Sequence, residues 1–272
     1  MKTYYESSSD EVEIALSAAR CGLAILVLGP TGCGKTRFVE HVAGVLRGGE
    51  VSSNGRVNVV TVTCHDDLAS WDLTGRYLIE DGGTRWIDGP LTSAVREGIP
   101  CYLDEVTEAR RDTTVLLHSL TDYRRRLFID RTGELLEAPD GFVLFASHNP
   151  GLHSAQKRLK ESTRQRFVPI ELSYANPDLE SRIIRHESGI EAAVATQLVE
   201  FGTEHRRMTL DRGSEPLSTR GLVHMGKLVV RGVAPARAAS AVALPLAEDD
   251  VALRSALREL VPFVFGVPRG GE

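Results

Sequence analysis

The strongest constraint on the fold of this chain is a glycine-rich segment that lies between an apolar run and a helical pattern. Residues 23–28 (LAILVL) are continuously apolar, which is typical of a strand buried on both faces of a parallel sheet. Residues 29–36 (GPTGCGKT) follow directly and fit G-x-x-x-x-G-K-[ST]. Apolar residues then recur at helical spacing from Phe38 to Leu46. A strand, a glycine-rich loop and a helix in this order predict a phosphate-binding loop.

The residues of this loop suit the binding of a phosphate chain and Mg²⁺. The glycines let backbone N–H groups turn toward an anion, and the helix that follows adds the positive end of its dipole. We expect Lys35 to neutralise β- and γ-phosphate oxygens and Thr36 to supply an oxygen ligand to magnesium. The alternative, a glycine turn with an incidental lysine, is disfavoured because both flanking elements are present. The predicted ATP-binding residues are Gly29, Pro30, Thr31, Gly32, Cys33, Gly34, Lys35, Thr36 and Arg37.

A second motif distinguishes hydrolysis from small-molecule phosphorylation. Residues 99–105 (IPCYLDE) are a short apolar strand that ends in two carboxylates. Asp104 is predicted to help hold magnesium at the strand end, and Glu105 to orient and deprotonate the attacking water. An exposed Asp-Glu pair without a role is the alternative. No segment resembles the guanine-binding NKxD motif, which disfavours a GTPase.

Two further polar groups follow predicted strands. Residues 142–150 (FVLFASHNP) place Asn149 at a strand end, where its amide could contact the γ-phosphate or the attacking water, although Asn-Pro also simply favours a turn. Residues 162–167 (STRQRF) carry Arg164 and Arg166 directly before an apolar segment. Either could serve as an arginine finger for a neighbouring subunit. Two solvated arginines are the alternative.

The arrangement of apolar segments predicts an α/β fold with two domains. Strands and helices alternate up to residue 172, which favours a five-stranded parallel sheet. From residue 177 onward the pattern is helical, so we place an α/β nucleotide-binding domain at residues 1–173 and a helical lid at residues 174–272. The further predicted strands cover residues 57–63, 99–103, 142–146 and 167–172, and the helices of the lid residues 179–186, 190–201, 219–230 and 251–260. A chain of 272 residues is long for a single core.

Composition excludes several classes of protein. Lys and Arg number 32 against 37 Asp and Glu, for a net charge of -5, which argues against attraction of the whole surface to nucleic acid or an anionic membrane. The sequence contains no apolar run of about 20 residues and no signal-peptide pattern in residues 1–9. The four cysteines form no CxxC pair, so they are expected to stay reduced. These features favour a cytoplasmic protein.

Three other segments carry ambiguous patterns. Residues 64–67 (CHDD) contain metal-ligand types but lack a second cluster, so a polar strand end is favoured over a metal site. Residues 124–126 (RRR) are expected to form a solvated face, with protein contact as the alternative and nucleic-acid contact disfavoured. Aromatic residues flank a turn at residues 81–83, which indicates either a pore-facing hairpin or core packing; they are Trp71, Tyr77 and Trp86.

Taken together, the motifs resemble a known family. The chain is similar to the MoxR branch of the AAA+ ATPases, most closely the CbbQ, NorQ and NirQ group, over about residues 10–230. The segments that carry the resemblance are GPTGCGKTRFVEH, LDE, the Asn of SHNPG, the QRF of STRQRF, LSTRGL, TCHDDLASWDLTGRYL and GTRWIDGPLTSAVREG.

The resemblance implies roles and partners. It implies that Lys35 and Thr36 form the Walker A site, Asp104 and Glu105 the Walker B site, Asn149 sensor 1, Arg166 the finger and Arg220 sensor 2. It also implies ATP and Mg²⁺ as ligands and a ring, usually a hexamer, with nucleotide between subunits. Proteins of this group work with an adaptor that bears a von Willebrand factor A domain (CbbO-like). The client enzyme is Rubisco for CbbQ, our leading expectation, and nitric oxide reductase for NorQ and NirQ.

The sequence also departs from this family pattern. Residues 48–55 form a longer loop than expected, SHNPG replaces SYNPG, Arg164 stands where relatives often carry Lys, and the C-terminal third matches weakly. Two other functions remain as alternatives: a nucleic-acid remodelling ATPase, and a monomeric phosphotransferase of small metabolites.

Overall fold

The computed structural model describes residues 3–49, 59–80, 82–150, 159–210 and 212–266. The chain divides into two compact units, one of Met1–Gly29 with Lys35–Leu172 and the other of Pro30–Gly34 with Ser173–Glu272. The division into domains at residues 173 and 174 stays a prediction. Most of the expected long loop and the first residues of the predicted strand 57–63 lie outside the described residues.

The first unit is built on a five-stranded parallel sheet, which confirms the predicted fold class. The strands are β1 (Ala24–Leu28), β2 (Val60–Thr63), β3 (Gly75–Glu80), β4 (Gly83–Asp88), β5 (Cys101–Asp104), β6 (Arg126–Ile129), β7 (Glu134–Glu137), β8 (Leu144–His148) and β9 (Phe167–Glu171). The sheet has the order β2-β5-β8-β1-β9, so β1 lies between β8 and β9. Because all five strands are parallel, their carboxyl ends lie at one edge.

Both faces of this sheet are buried, as the apolar run of β1 predicts. Ala24 and Leu26 belong to one apolar cluster with Leu103 and Ala146 from the neighbouring strands. Successive side chains of a strand point to opposite faces, so Ile25, which is fully buried, packs on the other face. The helices of this unit are α1 (Glu11–Arg20), α2 (Lys35–Leu46), α3 (Ser70–Thr74), α4 (Pro90–Glu97), α5 (Arg111–Leu116) and α6 (Glu161–Arg164).

Two antiparallel hairpins, β3-β4 and β6-β7, accompany the sheet. In the first hairpin the Tyr77 ring lies edge-on against Trp86 at 5.1 Å between centroids. Tyr77 and Trp71, which lies in α3, are each 45% exposed. The Arg131 guanidinium, between β6 and β7, lies 5.8 Å from the centre of the Trp71 ring, a cation–π contact. Core packing therefore does not account for Tyr77 and Trp71, and the pore-facing hairpin stays a prediction.

The expectation of a purely solvated face at residues 124–126 is wrong for its central residue. Arg125 has a positive φ of 49° and donates hydrogen bonds to three backbone carbonyls, those of Gly22, Pro139 and Phe142. It therefore joins the loop before β1 to the loop before β8. The flanking arginines do lie at the surface, where each pairs with a nearby carboxylate.

The second unit is helical and has its own apolar core. Its helices are α7 (Pro177–Ser188), α8 (Ala192–Thr209), α9 (Thr219–Val230), α10 (Pro235–Ala243) and α11 (Val251–Phe265). Phe201, Leu222, Met225 and Leu257 are fully buried in this core. No helix is predicted from the sequence at α10, whose proline occupies the first helical position, where a missing N–H costs nothing. Within the described residues, no helix is long and apolar enough to cross a membrane.

Candidate functional site

The glycine-rich loop has positive φ angles at two of its glycines. It runs from the end of β1 at Leu28 to the start of α2 at Lys35. Gly32 has a φ of +69° and Gly34 a φ of +109°, values that favour glycine over any residue with a Cβ. The loop thus leads directly into a helix N-terminus, where N–H groups without intrahelical partners attract anions.

Lys35, Asn149 and Glu105, three residues that the sequence singled out separately, form one hydrogen-bonded chain. Lys35 Nζ donates to the Gly29 carbonyl at 2.8 Å and to Asn149 Oδ1. Asn149 Nδ2 donates to Glu105 Oε1 at 2.9 Å. The amide of Asn149 therefore accepts from a cation with its oxygen and donates to a carboxylate with its nitrogen. These residues come from the start of α2 and from the ends of β8 and β5, which are neighbouring strands.

Asp104 is held by two hydroxyl groups. Tyr102 Oη and Ser147 Oγ both donate to Asp104 Oδ1, each at 2.6 Å. Burial and the hydrogen bond to Asp104 raise the pKa of Tyr102, and a hydrogen bond with Thr36 opposes that rise. Thr36, Tyr102 and Asp104 thus form a cluster of oxygen atoms beside the loop. Such oxygens suit Mg²⁺, which usually takes one or two protein ligands together with phosphate oxygens and water.

Glu105 is fixed by its backbone as well as by its side chain. Its φ of 57° lies in the left-handed region, which costs a residue with a Cβ about 1 kcal/mol. Its N–H donates to Ser147 Oγ at 2.9 Å. The serine hydroxyl therefore joins the Glu105 backbone to the Asp104 carboxylate, since it accepts from the Glu105 N–H and donates to Asp104 Oδ1. Strained backbone held by such bonds is common where a side chain must be aimed at a substrate.

The carboxylates give this edge of the sheet a negative potential. Burial, followed by the charges of Asp104 and Glu105, raises the pKa of the Cys64 thiol to about 12. A cation is therefore favoured here, and Lys35, which is 8% exposed, supplies one. In the described part of the chain, no group of three or more His, Cys, Asp and Glu residues could hold a metal ion by itself.

Sequence reasoning missed two residues of the site, Tyr102 and Ser147. Ser147 is fully buried in β8, and Tyr102 is 1% exposed in β5. A polar residue inside an otherwise apolar strand is a usable signal, since a buried hydroxyl needs a hydrogen-bond partner. Its partner on the neighbouring strand depends on the register of β5 and β8, which the sequence does not state.

The two candidate finger arginines have different surroundings. Arg166 Nη1 lies 3.4 Å from the His118 carbonyl oxygen and 3.8 Å from Asp122 Oδ2. Its buried Nε has no hydrogen-bond partner among the described residues. Arg164, at the end of α6, is exposed. Burial, and then the charges of Arg166 and Lys160, lower the pKa of His118, so Arg166 lies beside a neutral imidazole at pH 7.

Arg220 belongs to the second unit. It is exposed at the second position of α9, directly after Thr219. The helix begins at Ser218, whose Oγ accepts from the Gly221 N–H at 3.2 Å. An exposed arginine in the first helical turn is available to a ligand that approaches this helix end.

The geometry supports hydrolysis of a phosphoanhydride. It combines an anion-binding loop, a lysine at the loop, a cluster of oxygens suited to Mg²⁺, and a carboxylate that can accept a proton from water.

Comparisons with known proteins agree with this chemistry. A family model for the AAA domain (dynein-related subfamily) matches residues 24–167, and one for the CbbQ/NirQ/NorQ C-terminal region matches residues 180–264. The second match corrects the expectation that the C-terminal third matches weakly. The helical region after residue 180 is therefore characteristic of the group as well.

The curated relatives match over almost their whole length. The chain is 45% identical to Protein CbbQ of Hydrogenophilus thermoluteolus, covering 96% of this chain and 95% of the relative. It is 47% identical to Protein NorQ of Paracoccus denitrificans (strain Pd 1222), covering 97% of this chain and 94% of the relative. It is 45% identical to the denitrification regulatory protein NirQ of Stutzerimonas stutzeri, covering 97% of this chain and 92% of the relative. The three kinds of relative are thus equally similar to this chain.

A solved structure shares the fold. A RuvB mutant of Thermotoga maritima aligns with a TM-score of 0.52 and 18% identity, covering 96% of this chain and 78% of that one. At this identity the likeness concerns the fold alone.

Proposed function

Because this chain belongs to the CbbQ, NorQ and NirQ group of AAA+ ATPases, we propose that it uses ATP hydrolysis to remodel and activate a client enzyme. The observation that carries the proposal is the hydrogen-bonded chain from Lys35 through Asn149 to Glu105. It joins the phosphate-binding lysine to a carboxylate that can act on water.

The positions of these side chains support the following hydrolytic step. Lys35, released from the Gly29 carbonyl and from Asn149, binds phosphate oxygens instead. Asn149 then orients the attacking water, and Glu105 accepts a proton from it as the water oxygen bonds to the γ-phosphorus. The bond from that phosphorus to the oxygen of ADP breaks, and ADP and phosphate leave. Thr36 and Asp104 would hold Mg²⁺, which neutralises charge on the phosphate oxygens when it is bound.

Two arginines complete the proposed site. Arg166 acts as a finger that stabilises the developing charge in the site of a neighbouring subunit, and Arg220 reports the state of the nucleotide as sensor 2. A finger supplied in trans requires an assembly, and we propose a hexameric ring. Loss of such an arginine lowers turnover by about a thousandfold or more. If Arg164→Ala shows that loss and Arg166→Ala does not, the finger is Arg164.

The client is proposed from the relatives. We propose that the chain works with an adaptor that bears a von Willebrand factor A domain, and that the client is Rubisco, freed of inhibitory sugar phosphates. The NorQ relative, and the NirQ relative named as a denitrification regulatory protein, support nitric oxide reductase as a second candidate. The identities are too similar to separate the two clients.

Reconstitution tests this proposal. The chain, the adaptor and ATP are mixed with inhibited Rubisco or with inactive nitric oxide reductase, and the activity of each client is followed. Activation of one client by the natural chain, but not by Lys35→Ala, supports the proposal and identifies the client. No activation of either client rejects both.

Sedimentation and DNA titration test the alternatives. The ring predicts a shift to a larger species with ATP, whereas a phosphotransferase predicts a monomer. Turnover stimulated by DNA and indifferent to the adaptor would favour a nucleic-acid remodelling ATPase.

A further inference from the structure

The second unit contains a buried ion pair that the proposed chemistry does not use. Glu180 on α7 is 1% exposed and accepts two hydrogen bonds from Arg206 on α8, at 2.7 Å and 2.8 Å. Taking two charges out of water is costly, and an ion pair of this kind rarely adds stability over an apolar pair of the same size. The position of this ion pair therefore points to a role other than stability.

Both charged groups hold the start of α9. Thr219 Oγ1 donates to Glu180 Oε1 at 2.5 Å, and Arg206 Nε donates to the Leu217 carbonyl at 2.7 Å. Leu217 and Thr219 flank the N-cap residue of α9. Glu180 and Arg206 thus fix the residue immediately before Arg220 and the entry of the chain into the helix.

Arg206 also reaches the phosphate-binding loop through Tyr174. Its guanidinium lies over the Tyr174 ring at 4.0 Å from the ring centre, and Tyr174 Oη donates to the Thr31 carbonyl at 3.1 Å. Residues 30–34 belong to the same compact unit as α9. In agreement with this, a Cβ on Gly32 would lie 2.6 Å from the Ser218 Cβ.

We infer that Glu180 and Arg206 are positioning residues that couple the phosphate-binding loop to Arg220. The path runs from Thr31 through Tyr174, Arg206 and Glu180 to Thr219. A change at the loop when nucleotide binds or leaves alters the position of Arg220 through this path. The inference rests on the proposed role of Arg220 as the residue that reports nucleotide state.

The chemistry of Arg206 suits this task. Its planar guanidinium donates hydrogen bonds to both Glu180 oxygens and to the Leu217 carbonyl, while its face stacks on the Tyr174 ring. A lysine could not make these contacts at once, because an ammonium group has neither the planar fork nor the flat face.

Two conservative variants test the path at its ends. Thr219→Val keeps the shape of the side chain and removes only the bond to Glu180. Tyr174→Phe keeps the stacking on Arg206 and removes only the bond to Thr31. Thr209→Val is a matched control, because Thr209 is equally buried in this unit and donates to the backbone carbonyl of Arg206 instead.

Steady-state ATP turnover, ADP affinity and thermal unfolding are measured for each variant. Thr219→Val is expected to lower kcat about tenfold, the factor for a lost hydrogen bond to a charged group. Tyr174→Phe is expected to weaken ADP binding about threefold, the factor for a lost neutral hydrogen bond. Thr209→Val should keep both values near those of the natural chain, with a melting temperature close to those of the two test variants.

A double-mutant cycle with Arg220→Ala separates positioning from simple stability. If Thr219 acts through Arg220, then Thr219→Val lowers kcat in the natural chain and has no further effect once Arg220 is Ala. The inference is overturned if the double variant loses kcat by the product of the two single losses, or if Thr219→Val turns over normally. If Arg220→Ala itself turns over normally, the sensor role of Arg220 is also lost, whereas the water-activating role of Glu105 still stands.

Discussion

Replacement of Asn149 by Asp changes one atom in the centre of the hydrogen-bonded chain. Asn149 Oδ1 accepts from Lys35, and Asn149 Nδ2 donates to Glu105 Oε1 at 2.9 Å. The substitution keeps an oxygen toward Lys35 and places a second oxygen where the donor was. It therefore tests whether the donated hydrogen bond to Glu105 matters, with almost no change in size.

The expected loss of ATP turnover follows from the 2.9 Å distance between Asn149 Nδ2 and Glu105 Oε1. Two carboxylates about 3 Å apart repel each other by about 5 kcal/mol at an effective dielectric constant of 20. The pair relieves this repulsion by binding a shared proton, which raises one of the two pKa values. Lys35, which lies against position 149, offsets part of this repulsion, so at pH 8 the proton is largely absent. The lost hydrogen bond to a charged group is then worth about 1.5–3 kcal/mol. We expect turnover at saturating ATP to fall about tenfold to a hundredfold.

The rate of Asn149→Asp should also depend on pH, and the direction of this dependence can be predicted. A protonated carboxyl group at position 149 can donate to Glu105 as the amide did, so the rate of Asn149→Asp relative to the natural chain should rise as the pH falls from 8 to 6. Single-turnover hydrolysis of radiolabelled ATP measures this ratio. Asn176→Asp is the matched control, because Asn176 caps α7 through Oδ1 and Asp caps a helix equally well. The proposed role of the Asn149 hydrogen bond to Glu105 is rejected if Asn149→Asp hydrolyses ATP at the rate of the natural chain at pH 8, or if its loss of rate is the same at pH 8 and pH 6.

Three further predictions concern stability and are measured by urea unfolding. Burial alone would raise the pKa of Glu11, but hydrogen bonds from Ser9 and Ser8 lower it to about 2. The Glu11 carboxylate therefore stabilises the fold at neutral pH, and this stabilisation is lost as the pH falls from about 4.5 toward 2. Glu11→Gln should cost about 2–3 kcal/mol of unfolding free energy at pH 7 and remove this pH dependence. Burial, and then the charge of Arg206, lower the pKa of His205 from 6.5 to about 4, so stability should fall as the pH drops from 6.5 toward 4, and His205→Gln should flatten this slope. Arg125→Ala removes the side-chain donor to the Gly22 and Phe142 carbonyls and one of two donors to the Pro139 carbonyl, so it should cost about 2–4 kcal/mol, with only partial recovery in Arg125→Lys. Unchanged unfolding of any of these variants would contradict its prediction.

The fold class and the family follow from short segments because phosphate binding constrains several residues at once. Residues 29–36 need glycines for backbone direction, a lysine for charge and a hydroxyl for the metal, between a buried strand and a helix. Chance rarely supplies that combination. Asp104, Glu105 and Asn149 are each predicted at a strand end, and they lie close together because the carboxyl ends of neighbouring parallel strands meet at one edge.

The hydrogen-bond partners of these residues could not be predicted in the same way. The contact of Ser147 with both Asp104 and Glu105 depends on the register between β5 and β8 and on the left-handed backbone of Glu105. Neither appears as a pattern along the chain. Arg125 illustrates the same limit: three consecutive arginines have equal charge, but only the central one turns inward to bind carbonyls, because its backbone adopts a positive φ.

ATP binding and ATP hydrolysis in two single variants test the proposed mechanism most directly. We expect Lys35→Ala to fail to bind ATP, because it loses the cation at the loop. We expect Glu105→Gln to bind ATP normally but to hydrolyse it at least a hundredfold more slowly, because the amide keeps the size of the carboxylate and cannot accept the proton. Glu105→Gln that turns over at the rate of the natural chain would contradict the assignment of Glu105 and, with it, the proposed mechanism.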